Sequence, residues 1–496
     1  MNALDSLHLR DLEWRQTAGI ALAVVILATI IRRLLFDPLA KIPGPWYTKW
    51  TNVMITVKNL TAEGPLYVDQ LHKKYGPVVR LGPSEVDIVD IAATKKIHRV
   101  KADFVKTDFY KGLGYKGENI LNTRDVDFHR RHRKLLSQPI SESSLKAMEP
   151  QIEEKVRLTI EKMGEEMIIR KAVDVYKWWM FMSTDIIGQL TFGESFRALE
   201  NGKVNTYIKD LRSIGYLASI SSQLVYMMPV LWHVPLPALG GSVKALAARL
   251  KVYANVQLQH LKEAMEGQDG GRALLFSKLV RGATVDGESL TETEIRNDAE
   301  AYIIAGSDTT SNTLAFLTWA LCNQPELKDQ LVEELRTLPA NFTADDLKLL
   351  PFLNRCITEG LRRFPVVPGG LPRYVPREGA DLAGYWLPGG ITVTTQSWTL
   401  HRNPEVFPNP DQYNPARWEN PTKEMKDSML AFGGGSRACI GMHLAYIELR
   451  MGLAYFFRTF PNSQMSTLEG MTNEDMKPAM YFILSPQYHR CLIKAA

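Results

Sequence analysis

Cys439 closes a glycine-rich loop, Phe432-Gly433-Gly434-Gly435-Ser436-Arg437-Ala438-Cys439-Ile440-Gly441. The residues that follow, Met442-His443-Leu444-Ala445-Tyr446-Ile447-Glu448-Leu449, read as helix. A cysteine at a helix start meets unpaired N–H groups and the positive end of the helix dipole, and both favour thiolate over thiol. The glycines let the backbone wrap closely around a flat ligand. A thiolate held in such a nest is a metal ligand, whereas the same cysteine taken alone would be an ordinary buried one. Cys322, Cys356 and Cys491 are widely spaced and form no Cys-x-x-Cys, so neither a disulfide framework nor a zinc site is indicated. That usage suits a reducing compartment.

Three further groups carry chemistry. Ala305-Gly306-Ser307-Asp308-Thr309-Thr310 sets poor helix formers in the middle of a long helical pattern. A local cost of that kind is often tolerated for function, although a threonine can simply bond its own helix backbone. Glu359 and Arg362 stand three apart on one helix face. Asp127 to Leu136 reads as a basic helix on which His129 and Arg133 share a face, with Arg130, Arg131 and Lys134 pointing elsewhere as a docking patch for an acidic partner.

Taken together, these stretches resemble the cytochrome P-450 family. The cysteine loop matches the FxxGxRxCxG signature at every fixed position, and Ala305–Thr310 is similar to the oxygen-binding groove (A/G)Gx(D/E)T(T/S). Glu359-Gly360-Leu361-Arg362 matches ExxR, and Asn414-Pro415-Ala416-Arg417-Trp418 resembles PxRF/W. The resemblance implies that Cys439 is the axial ligand of haem b and that Arg437 partners a propionate. Arg133 matches the arginine of WxxxR, while His129 stands where tryptophan is usual. Arg373, in Leu371-Pro372-Arg373, falls where another arginine binds a propionate. Thr309 and Asp308 take the positions of an alcohol and an acid that deliver protons, under small residues Ala305 and Gly306 that leave room over the haem. Glu359, Arg362 and Arg417 would form a buried structural triad behind it.

The same resemblance implies a mainly α-helical domain with small β-sheets. It implies monooxygenation of a small apolar organic substrate, with O2 and NADPH-derived electrons as co-substrates. The electrons would come from a flavoprotein reductase, with cytochrome b5 as a further partner, since no flavin or dinucleotide motif is present. The pattern is closest in look to microsomal members of filamentous fungi that oxidise secondary metabolites such as polyketides or indole alkaloids. Phe109, Tyr115, Tyr302, Ala305 and Val367 are the candidate substrate contacts. An Asp298–Tyr302 pair would read a hydroxyl or amine on the substrate, or else face another helix. Two other functions compete: a thiolate-haem isomerase or dehydratase, and a non-enzymatic haem-binding sensor. Asp308-Thr309 argues against the first, and the lack of a second protein ligand to iron argues against the second.

The elements that must position these residues follow from pattern. The chain has 496 residues, 45% of them hydrophobic and 23% charged, which is enough to bury a large core. A net charge of +5 with no nucleic-acid motif excludes a nucleic-acid partner. Residues 1–16 form a short N-terminal segment. Residues 17–36 are apolar and end in Arg32 and Arg33, which predicts a single-pass anchor with the catalytic domain cytosolic at the endoplasmic reticulum membrane. Residues 37–48, with Ile42-Pro43-Gly44-Pro45, predict a stiff proline-rich hinge, leaving 49–496 as the haem-thiolate domain. Tyr75–Pro83 and Val86–Val89 read as a hairpin of strands and 104–123 as a long functional loop. Residues 150–290 are mostly helical, with a proline-broken apolar stretch at 224–239 that dips into a membrane or is covered by the protein. Thr291 and Glu294 predict the capped start of a helix that Gln324-Pro325 ends.

Overall fold

The computed structural model describes residues 3–495, apart from 101–102, 115–116, 205, 237–240, 267–273, 278–281, 283 and 286–287. Helix α1 (Ala3–Leu35) carries the apolar N-terminal run. Two strands follow, β1 (Val78–Gly82) and β2 (Glu85–Ile88), paired as the predicted hairpin. The helical body is built from α2 (Val126–Ser137), α3 (Glu149–Arg170), α4 (Val175–Phe192), α5 (Thr206–Gln223), α6 (Val243–Glu266), α7 (Glu292–Cys322), α8 (Pro351–Arg363) and α9 (Met442–Thr459). Strands β3 (Arg373–Tyr374) and β4 (Thr392–Thr394) join the hairpin in a sheet of order β1-β2-β4-β3.

α7 runs through the centre and packs along α4. Its ends follow the sequence: Thr291 and Glu294 exchange side-chain and backbone bonds as a capping box, and Asn323 caps the other end. α4 is apolar and buried on nearly every side, as a helix enclosed by others must be. Glycines set the closest approaches. A Cβ on Gly306 would lie 2.8 Å from Ile187 of α4, and one on Gly360 would lie 2.3 Å from Leu317 of α7. Gly306 therefore serves the α4–α7 contact rather than space beside the cysteine loop.

The proline-rich segment is seated on the domain. Leu39 and Ile42 are buried in a core with Val78, Val86 and Val393. Arg80 of β1 is fully buried and bonded by Asp37, with Asp37 Oδ1 at 3.1 Å, and its N–H donates to Pro43 O at 2.8 Å. α1 itself contributes one apolar window, Gln16–Arg33, long enough to cross a membrane and unburied throughout.

Candidate active site

Backbone sterics fix the cysteine loop. Gly433 and Gly435 hold φ of +68° and +57°, and a Cβ on Gly435 would sit 1.8 Å from His98 O. A side chain there would both clash and strain the turn. Cys439 N–H donates to Phe432 O at 2.8 Å, closing the loop three residues before α9 begins. Arg133 of α2 donates to Ala438 O at 2.7 Å and ties that helix to the loop. Cys439 is accessible although protein encloses it, so its sulfur borders an interior space rather than bulk solvent. Burial pushes the thiol pKa up, while the Gly441 N–H and the Arg133 charge pull it down. The helix start alone does not outweigh burial; a cation at the sulfur is what would favour the thiolate.

Basic groups gather beside this loop. Arg437 donates to Thr123 O at 3.2 Å and Asp125 O at 3.4 Å. Arg373, placed by its β3–β4 register, donates to Tyr110 Oη at 2.7 Å and Pro372 O at 2.9 Å. Lys106 pairs with Arg373 through a backbone bridge, donates to Leu121 O and lies 4.4 Å from the centre of the Tyr110 ring. His129 is buried among the same charges. Among the described residues, Arg133, Arg373, Arg437 and Lys106 have no carboxylate partner. The crowding shows in proton affinity: burial, with Arg373 beside it, lowers Arg437 to about 10. Burial and then Arg437 lower His129 to about 3, which keeps its imidazole neutral with one N–H to donate. Burial followed by Arg373 and Arg437 holds Lys106 well below the usual lysine range.

On α7, Ala305 is exposed and Thr309 half-buried while Tyr302, Ile303, Ser307 and Asp308 are buried. The Ala305–Thr309 edge therefore opens inward from an otherwise packed helix. Thr309 Oγ1 donates to Ala305 O at 2.8 Å, which pins its rotamer and leaves the oxygen's remaining lone pair free. Asp308 is buried with Oδ1 unpartnered, and burial raises its pKa to about 7, with Arg212 the charge that opposes it.

Behind the loop, Glu359 accepts from Arg362 Nε and Nη2, both at 2.8 Å, and from Arg417 Nε at 3.0 Å. Trp418 Nε1 at 2.9 Å and Asn414 N–H at 2.9 Å complete the carboxylate's shell. Arg362 also donates to His401 O at 2.7 Å, and His401 Nε2 accepts from Leu430 N–H at 2.9 Å. His401 thus carries the fixed geometry of the acid–base pair to the strand of chain that enters the cysteine loop. Burial, then Arg362, lowers His401 to about 3, so it serves as a neutral acceptor.

The Cytochrome P450 family model matches residues 43–491. The chain is 44% identical over 96% of its length to the cytochrome P450 monooxygenase tazI of Aspergillus terreus, covering 98% of that protein. It is 39% identical to the cytochrome P450 monooxygenase orf2 of Aspergillus niger, with 96% and 97% of the two chains covered. It is 34% identical to the cytochrome P450 monooxygenase aflV of Aspergillus parasiticus, with 97% and 96% covered. The chain belongs to the cytochrome P450 family. It is a haem-thiolate monooxygenase that uses haem b, O2, electrons from a redox partner and a small-molecule substrate.

The residues present fit a flat, dianionic metalloporphyrin. One sulfur is presented by a glycine-lined loop, and beside it stand Arg133, Arg373, Arg437 and Lys106, which have no carboxylate partner among the described residues, with the neutral His129. Of the candidate substrate contacts, Phe109 and Val367 line a common cavity with Phe482 and Gln396. Ala305 faces the open edge of α7. Tyr302 instead lies in the core with its ring edge-on to Phe276 at 5.1 Å and its hydroxyl unpartnered, because at this turn α7 is covered by packing. Tyr115 falls outside the described residues. Asp298 does not face substrate: its carboxylate accepts from Ile120 N–H at 2.8 Å and pairs with His132 Nδ1 at 2.5 Å. Arg131, expected in a docking patch of this P450, is bound to Glu294 at 2.5 Å, whereas Arg130 stays at the surface beside Asp127. Lys106 and His401 are residues that sequence reasoning missed, because they belong to no spacing pattern; Trp418, the aromatic of the PxRF/W match, was named there without its bond to Glu359.

Proposed function

We propose that Cys439 ligates the haem iron, and that Arg133, Arg373, Arg437, His129 and Lys106 hold the two propionates. When bound, the haem activates O2 so that one oxygen atom enters the substrate and the other leaves as water. The chain's own part is to hold the ligand, to move protons and to set substrate geometry. Arg133 fixes the loop through Ala438 O while keeping charge for a propionate. Thr309, its rotamer pinned on Ala305 O, orients a hydrogen bond over the open edge of α7. Asp308, proton-bearing up to about pH 7, supplies protons toward it from the buried side. Glu359, Arg362 and Arg417 hold the chain behind the loop.

The substrate reading is a small apolar metabolite of polyketide or alkaloid type; the chain is similar to cytochrome P450 monooxygenases of Aspergillus species. Electrons reach it from NADPH through a flavoprotein reductase, with cytochrome b5 as a second donor. α1 anchors the domain at the endoplasmic reticulum membrane, with residues 49–496 on the cytosolic side. Exposed Trp46, Val53, Tyr226 and Val230 extend the apolar surface available to that membrane.

The observation that carries this reading is the cluster of basic groups, without carboxylate partners among the described residues, beside the Cys439 loop. The test is Cys439→Ser in the full-length protein, followed by reduction and CO. The variant is expected to lose the thiolate-type CO band and all turnover, because a hydroxyl is a poor donor to iron. A retained band would end the assignment.

A further inference from the structure

β2 turns Val86 and Ile88 into the core and Glu85 and Asp87 to the other face. Asp87 is satisfied: it pairs with His72 Nε2 at 2.8 Å and accepts from the Thr394 hydroxyl. Glu85 has no side-chain partner among the described residues. It borders a cavity of about 80 Å³ between β2, α5 and the C-terminal hairpin that carries Phe482. Phe109, Val367, Ser222 and Gln396 form other parts of the wall, and no lysine, arginine or histidine lines it. The space takes one ring or the end of a short chain rather than a whole substrate. His72 offsets the charge of Asp87 alone, so Glu85 sits in an acidic chamber without a counter-ion. Burial, then Asp87, raises its pKa to about 7.

We propose that Glu85 is a specificity-determining residue of this monooxygenase: it receives a hydroxyl or amine at the trailing end of the substrate and turns carboxylates away. The proposal rests on the monooxygenase reading, because the cavity is lined by two of its candidate substrate contacts, Phe109 and Val367. The physical reason is one-sided. A half-buried carboxyl that lines a cavity without a partner is costly until a donor reaches it, and a second carboxylate placed against it finds no cation to offset the repulsion.

The test uses three probes with one skeleton, 4-phenylbutan-1-ol, 4-phenylbutylamine and 4-phenylbutanoate, titrated calorimetrically into the full-length holoenzyme at a pH above about 8, where Glu85 carries its charge. The wild type is expected to bind the alcohol and the amine about tenfold or more tightly than the carboxylate. Glu85→Ala should bring all three within about threefold, and Glu85→Gln should keep the alcohol while the amine loses its advantage. Gly369→Leu gives a second reading. A Cβ at Gly369 meets only Pro65, at 3.9 Å, so the larger side chain extends into the cavity. It should weaken the alcohol and the amine by about tenfold. Equal binding of the three probes by the wild type, a gap that survives Glu85→Ala, or undiminished binding by Gly369→Leu would each overturn the proposal. Heat reports binding whatever the metal does. A missing gap beside an intact thiolate CO band therefore overturns this proposal alone and leaves the monooxygenase reading standing.

Discussion

Arg437 is half-buried, stands near Arg373 and Arg133, and among the described residues holds only carbonyl oxygens. Like charges packed this way cost stability until an anion arrives. Arg437→Leu and Lys106→Met should therefore each weaken haem retention by about 2 kcal/mol, the worth of a hydrogen bond to a charged group. Haem per polypeptide after gel filtration measures it. The haem-free variants should melt no lower than the haem-free wild type, because the substitution relieves repulsion. At Thr309 the expectation is different in kind. Thr309→Ala should keep haem and substrate affinity while product per NADPH falls and hydrogen peroxide rises. Asp308 adds a pH signature: its carboxyl bears a proton below about pH 7 and loses it above, so coupled turnover should decline as pH rises through that value. Asp308→Asn should turn over slowly and lack that inflection. Cys439, Arg437 and Thr309 could be proposed from the sequence because their spacings are local. Lys106 was not, since it reaches the site through a bridge to Arg373, far along the chain.

At the scale of elements, the long helix α7 had readable ends and a face that the sequence left open between the substrate and another helix. Its capping box and the proline after it are local signals, and both are where the sequence places them. The partner of Asp298 is not local. His132 lies 166 residues away on α2, so helical spacing alone could pair Asp298 only with Tyr302 on its own helix. The observed pair is buried on both sides and also holds Ile120 N–H, clamping α2 and the preceding loop to α7. Removing one partner of such a pair leaves an uncompensated buried group. Asp298→Ala should lower unfolding stability by about 3 kcal/mol or more. Chemical denaturation of the holoenzyme checks it. Substrate ranking among bound variants should stay the same; a changed ranking with unchanged stability would return Asp298 to the substrate pocket. The same reasoning explains Gly306, whose small size looked like room beside the cysteine loop and is spent on Ile187 of α4.

At the scale of the whole molecule, the question is where the anchor ends and the domain begins. The sequence predicts a break at residue 37, because apolar helix gives way to proline and glycine. Proline explains stiffness, but it does not reveal whether a stiff segment is free or docked. In the structure the docking is set by Arg80, whose guanidinium is buried and held by Asp37, Leu39 O, Gly82 O and Pro83 O. Leu39 is itself fully buried. Two truncations separate anchor from domain. Deleting residues 1–36 removes exposed apolar helix and leaves Asp37 in place, so the melting temperature of the domain should stay at the full-length value. Membrane attachment should fall without vanishing, because Trp46, Val53, Tyr226 and Val230 remain exposed. Deleting residues 1–48 removes Asp37 and Leu39 together. It strands the Arg80 charge in the interior and uncovers one side of the β1–β2 core, which should cost about 3–5 kcal/mol. Thermal melts of the two truncated holoenzymes, with vesicle flotation of each, measure both effects. Equal melting temperatures would show that residues 37–48 act as a hinge only. Flotation of the shorter deletion as strong as that of the full chain would move the attachment from α1 to the apolar surface of the domain.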